Sequence, residues 1–156
     1  MGRIEDRIAE LGFALPEVVA PVAAYVPAVV SGNLVFTSGQ IPMRSGALAE
    51  TGKVGDGEGL VAPDRAREYA ATCALNGLAA VKSVIGDLDR VQRIIKVVGF
   101  VSSTPEFTGA PGVVNGASEL LGRIFGEAGV HARSAVGVAV LPLDCPVEVE
   151  MIVEFA

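Results

Sequence analysis

Nine residues near the C-terminus alternate with one exception. Val147, Val149, Met151, Val153 and Phe155 fall on one side; Glu148, Glu150, Ile152 and Glu154 fall on the other. A period of two marks an extended strand, because successive side chains leave opposite faces of a sheet. The chain must therefore build a sheet with one face covered and the other facing water or a partner. The cover is legible as well. Pro63-Asp64 is good helix-start chemistry, and Ala66, Tyr69, Ala70, Cys73, Leu75, Leu78, Val81, Val84 and Ile85 recur at helical spacing up to Gly86. A second helix is predicted over 113–128, with Val113, Ala117, Leu120, Leu121, Ile124 and Phe125 inward and Gly129 at its end.

The remaining segments complete the order. Ile4, Ile8 and Leu11 give a short amphipathic helix over 3–11. Residues 24–30 and 33–38 are β-branched runs on either side of Ser31-Gly32-Asn33, which predicts a hairpin. Strands are expected at 91–101 and 133–141, the latter closed by the turn Pro142-Leu143-Asp144-Cys145-Pro146. After the N-terminal helix the order is ββαβαββ. It implies an α/β (α+β) class with one mixed sheet and two long helices on one face. At 156 residues the expectation is a single domain, 1–156, with an N-terminal helical extension over 1–20. The stretch 43–63 carries five glycines and reads as a long surface loop, functional or mobile.

Composition narrows the function classes. Eighteen acidic residues against twelve basic give a net charge of −6, aromatics are 5% and Trp is absent, so a nucleic-acid surface is not expected. Hydrophobic residues make up 51% and charged residues 19%, which excludes disorder and points towards an oligomer. The uncharged stretch Val18 to Met43 is long enough to span a bilayer, but it contains Pro21, Pro27, Pro42 and a polar turn. It reads as two buried strands joined by a turn, with no membrane partner. Two distant cysteines and no signal-peptide pattern make a reduced, cytoplasmic protein the expectation. His131 is the one histidine, so a His-based triad or multi-His metal site is excluded; it reads as an exposed or turn residue. Cys73 reads as a small core residue. Gly46 to Lys53 is one residue too long for a phosphate loop, and Gly55, Gly57 and Gly59 lack dinucleotide spacing.

Two places could carry chemistry. In the strand beginning at Arg133, the Val136, Val138 and Val140 side is expected on the helices. The opposite face then presents Arg133, Ala135, Gly137 and Ala139, one cation and a run of small residues that something approaches closely. Glu148 is expected beside it. An arginine fork suits a carboxylate, and a buried glutamate can take a proton; equally, the two could pair with each other. At Thr37-Ser38-Gly39-Gln40-Ile41-Pro42 a strand ends in a small polar turn that could cradle an oxyanion or be a plain strand end.

The chain resembles the RidA family, also called YjgF and historically labelled L-PSP endoribonuclease. The carrying residues are Thr37 to Pro42, Tyr25, Val114-Asn115, and Arg133-Ser134-Ala135-Val136 through Leu141-Pro142 to Val147-Glu148-Val149-Glu150. The resemblance covers about 20–156 and implies a chorismate-mutase-like subunit, a homotrimer with inter-subunit clefts, and no metal or organic cofactor. It implies hydrolytic deamination of 2-imino or enamine carboxylates to 2-keto acids and ammonia. Arg133 would grip the substrate carboxylate and Glu148 would position water, with Ser38, Gly39, Tyr25, Asn115 and Ala135 lining the pocket. A non-enzymatic trimeric module binding a small carboxylate metabolite is the alternative; an endoribonuclease fits the acidic composition less well. Ala135 stands where a pocket cysteine is frequent in the family. That departure, the 43–63 loop and the N-terminal helix imply a divergent branch.

Overall fold

The computed structural model describes residues 2–18, 21 and 24–156. A five-stranded sheet contains β1 (Ala28–Ser31), β2 (Leu34–Thr37), β5 (Val91–Ser102), β6 (Ala132–Val138) and β7 (Val147–Phe155), in the order β1-β2-β7-β5-β6. The sheet is mixed: β5 runs parallel to β6 and antiparallel to β7. β3 (Met43–Arg44) and β4 (Ala47–Leu48) form a separate small hairpin. Two long helices, α2 (Pro63–Ile85) and α3 (Ala110–Phe125), pack on one face of the large sheet. The expected order therefore holds, with the small hairpin added.

Packing between the helices depends on one missing side chain. A Cβ at Gly116 would sit 1.9 Å from the Arg67 carbonyl oxygen, so only glycine lets α3 lie against the α2 backbone. From Thr72 to Val81 every residue of α2 is buried, not merely one face. The sheet and α3 enclose it, and Asn76 Nδ2 donates to the carbonyls of Ile41 (2.9 Å) and Met43 (3.1 Å) on a further side. Cys73 is buried, as expected, and both cysteine thiols donate to the Val147 carbonyl, Cys73 at 3.7 Å and Cys145 at 3.5 Å. Burial pushes the Cys73 thiol well up and the Cys145 thiol up to about 12.

The N-terminal helix, α1 (Arg3–Glu10), buries Ile4 and Ile8. The amides of Arg3 and Ile4 donate to the Asp89 carboxylate at 2.8 and 2.7 Å, supplying acceptors that the helix itself lacks. Those two bonds hold the Asp89 carboxyl below its ordinary range.

Several boundaries differ from expectation. α3 starts at Ala110 and stops at Gly126, where φ is 61°; residues 126–129 form a separate tight turn. β6 ends at Val138. The 18–43 stretch does hold the two expected strands joined by a turn, but they are only partly buried: Ala28, Val35 and Thr37 are covered, whereas Val29, Val30 and Phe36 are 54%, 42% and 41% exposed. Its residues 19, 20, 22 and 23 lie outside the described ones. The 43–63 segment is tied down, with Val54 and Val61 fully buried, Glu50 accepting from Arg65 and Tyr69, and Lys53 Nζ donating to the Ala139 carbonyl. Among the described residues, no helix is long and apolar enough to cross a membrane.

The largest correction concerns β6. The β5 register places Arg133 beside Val97, Ala135 beside Gly99 and Gly137 beside Val101. Val97, Gly99 and Val101 are buried, and a Cβ at Gly99 would meet Val114 of α3. Arg133 and Ala135 therefore face the helices, and Val136, 44% exposed, faces outward. The expected orientation is reversed because the outward face carries large apolar residues of its own beside Lys96, Glu148 and Glu150. By register it holds Val29, Phe36, Ile152, Val98, Phe100 and Val136.

Candidate functional site

Arg133 opens the parallel edge strand, and its side chain crosses to α3. Nη1 donates to Asn115 Oδ1 at 2.7 Å and to Ser118 Oγ at 3.3 Å; Nη2 donates to the Pro111 carbonyl at 3.3 Å. Asn115 and Ser118 are three residues apart and so share one helix face. Among the described residues no carboxylate pairs with this half-buried cation, and Nε meets no acceptor. A guanidinium fixed on one side with donors left over is suited to an incoming carboxylate.

His131 joins this cluster. It is half-buried, with Nδ1 2.6 Å from the Gly129 carbonyl and Nε2 2.9 Å from Ser118 Oγ. His131 is thus not exposed, while the turn half of the expectation fits, since the residue follows the 126–129 turn. Sequence reasoning also missed Ser118, although a polar residue three positions after Asn115 on an apolar helix was the available signal. Ala135, half-buried, packs against the hydrophobic core on the same face of β6 as Arg133.

The second cluster surrounds Glu148. Gln40 and Val149 exchange backbone hydrogen bonds at 2.8 and 3.0 Å, which lays the 38–40 segment beside β7. A Cβ at Gly39 would fall 1.8 Å from Glu148 Oε1, so the carboxylate lies directly over this glycine. Ser38 Oγ donates to the Val26 carbonyl at 2.6 Å, and the Ser38 amide donates to Pro27 at 2.8 Å. These bonds bring half-exposed Tyr25 to the same end. They also occupy the Ser38 donors, leaving the Gly39 amide without a backbone acceptor among the described residues. Burial, and next the neighbouring Glu150 charge, push the Glu148 carboxyl above its ordinary value.

The two clusters do not meet within one chain. Phe100 pairs with both Val136 and Glu148, so Glu148 shares the outward face, whereas Arg133 lies on the helix face. The expected common floor under Arg133 and Glu148 is overturned by this register. One cluster can hold an anion, and the other can accept a proton from water. Among the described residues, no group of three or more His, Cys, Asp or Glu comes together to hold a metal.

A family model described as "YjgF/chorismate_mutase-like, putative endoribonuclease" matches residues 5–155. The chain belongs to the YjgF family. The YjgF resemblance seen at 37–42, 114–115 and 133–150 therefore holds. Protein TCP17 of Trypanosoma cruzi is 42% identical over 98% of this chain and 94% of its own length. The crystal structure of Atu1372 from Agrobacterium tumefaciens is 49% identical, with a TM-score of 0.90 over 98% of this chain and 92% of that one. TdcF of E. coli, solved with bound serine, is 26% identical, with a TM-score of 0.59 over 90% and 94% of the two chains. The contrast between these two scores agrees with a divergent branch of YjgF proteins.

Proposed function

We propose that the protein hydrolyses 2-imino and enamine carboxylates to 2-keto acids and ammonia, in clefts that each draw on two copies of the chain. The observation carrying this reading is the division of the chemistry: a guanidinium that pairs with no carboxylate among the described residues on one face of the sheet, and a half-buried carboxylate on the other. A homotrimer would bring the Arg133–Asn115 edge of one copy to the Glu148–Gly39–Ser38 end of the next, with Tyr25 at the rim. The outward apolar face supports such an assembly, since water is a poor neighbour for Val29, Phe36 and Val136. The serine in TdcF carries the same α-carboxylate that Arg133 would hold here.

Arg133 holds the carboxylate and so orients the imine carbon. Glu148, with its raised affinity for a proton, takes one from water as the oxygen adds to that carbon. That proton returns to nitrogen to give a carbinolamine; its hydroxyl proton then moves to the amine, the C–N electron pair leaves with ammonia, and the carbonyl forms, an enamine having first moved a proton from nitrogen to its β-carbon to become the imine. The imine is already electrophilic, so orientation and proton transfer suffice; the latter is worth about 10²–10⁴-fold. A surface with a net charge of −6 gives an RNA substrate less support.

The test is keto-acid and ammonia release when a pyridoxal-phosphate-dependent dehydratase generates the imine in situ. Wild type should exceed the uncatalysed rate, and Arg133→Ala and Glu148→Gln should each fall to it. Co-refolding the two variants in equal amounts should restore about a quarter of the sites, the random share with an intact residue from each neighbour in a closed ring. Equal rates for wild type and Arg133→Ala would overturn the proposal. Wild-type pyruvate binding without turnover would leave a carboxylate-binding module instead.

A further inference from the structure

We infer that His131, acting through Ser118, is a positioning residue for the Arg133 guanidinium. The inference rests on the reading of Arg133 as the carboxylate-binding group, and it assigns a role to a histidine that touches no substrate. The logic is one of donors and acceptors. The Gly129 carbonyl can only accept, so the 2.6 Å contact requires the proton on Nδ1. In the neutral ring Nε2 then offers a lone pair, and Ser118 Oγ, 2.9 Å away, donates to it. With its proton committed, the Ser118 oxygen presents its lone pairs to Arg133 Nη1 at 3.3 Å.

The anchor of this relay is rigid. Gly129 is buried, and a Cβ there would come within 2.4 Å of the Leu121 carbonyl, so the 126–129 turn is seated directly on α3. The imidazole thus spans a docked turn and a helix. Without it the Ser118 hydroxyl is free to donate back to its own helix, as serine does inside helices, and its lone pairs swing away from Arg133. Asn115 Oδ1 and the Pro111 carbonyl would remain, but Nη1 would lose one of its two acceptors. A fork held less firmly binds a carboxylate less well, since both oxygens must meet parallel N–H groups.

Because the chain has a single histidine, its imidazole can be read without ambiguity in long-range proton–nitrogen NMR spectra. The expected signal is the Nδ1–H tautomer with an accepting Nε2; the opposite tautomer overturns the inference. The order parameter of the Arg133 Nε–H group should fall in His131→Leu and in Ser118→Ala with no ligand present. Pyruvate affinity should weaken roughly 5- to 10-fold in each variant and no further in the double variant, while His131→Gln, whose side-chain oxygen can reach the Nε2 position, stays within about twofold of wild type. If His131→Leu does not fold, Ser118→Ala and His131→Gln carry the comparison alone. Additive losses, or an unchanged order parameter and affinity, overturn the inference while leaving the carboxylate reading intact. Arg133→Ala binding pyruvate as tightly as wild type would sink that reading instead; the tautomer and the order parameter would still decide whether His131 restrains Arg133.

Discussion

A methyl group added at Gly39 would arrive 1.8 Å from Glu148 Oε1 and 2.8 Å from its Cδ. Real Cβ atoms essentially never come within 3.0 Å of another heavy atom, so the carboxylate must retreat by at least 1.2 Å, the difference between 3.0 and 1.8. Gly39 does not lie in the left-handed region, so alanine brings no backbone strain. The crowded group is the end of a flexible side chain, and moving it off its rotamer costs about 1 kcal/mol. For a chain of this size that corresponds to a melting-temperature loss of about 3 °C. The chemistry is far less tolerant: a misplacement of about 1 Å costs on the order of 10²-fold in rate. Gly39→Ala should therefore melt close to wild type and lose roughly 10²-fold in imine hydrolysis, measured as ammonia release above the uncatalysed background. Turnover within threefold of wild type would refute a Glu148 that works from its observed place. A melting-temperature loss above about 10 °C would instead show that the carboxylate has nowhere to go.

Glu148→Gln should abolish hydrolysis while stabilising the chain at neutral pH. A carboxyl raised in the folded state favours folding below its ordinary value near 4.5 and loses that contribution as pH rises through the folded value, so the variant's thermal advantage should open across that rise. Asp89 carries the opposite sign: its lowered carboxyl stabilises above its ordinary range and stops doing so as pH falls through the folded value. Asp89→Asn should free α1 at neutral pH and speed tryptic cleavage at Arg7, with the difference from wild type closing in acid. Gly116→Ala forces a Cβ against the Arg67 backbone, which cannot move aside as a side chain can; denaturant melts should show a loss of about 1–3 kcal/mol.

The strands and helices that bury one clean face are legible in the sequence. The alternation from Val147 to Phe155 matches the bounds of β7 because its valines enter the core and its glutamates do not. α2 was bounded by Pro63 and Gly86 because both ends carry strong stop and start chemistry. β6 failed for the same reason that β7 succeeded. The rule assigns the more apolar side to the core, and in β6 the outward side holds the larger apolar residues. Its inner side is small because Gly99 and Ala135 admit α3 closely, and at its end Arg133 reaches that helix. Arg133, Glu148, Gly39 and Asn115 were all named from the chain alone, but their division between two faces was not, because pairing register is a property of three strands at once. The bonds of His131 are not legible in the sequence, since nothing local announces that the 126–129 turn, which directly follows α3, folds back onto that helix.

The two thiols that share the Val147 carbonyl lie at the seam between α2 and β7, one residue from Glu148. Both are buried, and burial disfavours their thiolates, so native-state alkylation is expected to be slow. Labelling must then wait for the seam to part, so its rate clocks how often that joint breathes, with no introduced probe. The chain carries its own chronometer beside the Glu148 carboxylate.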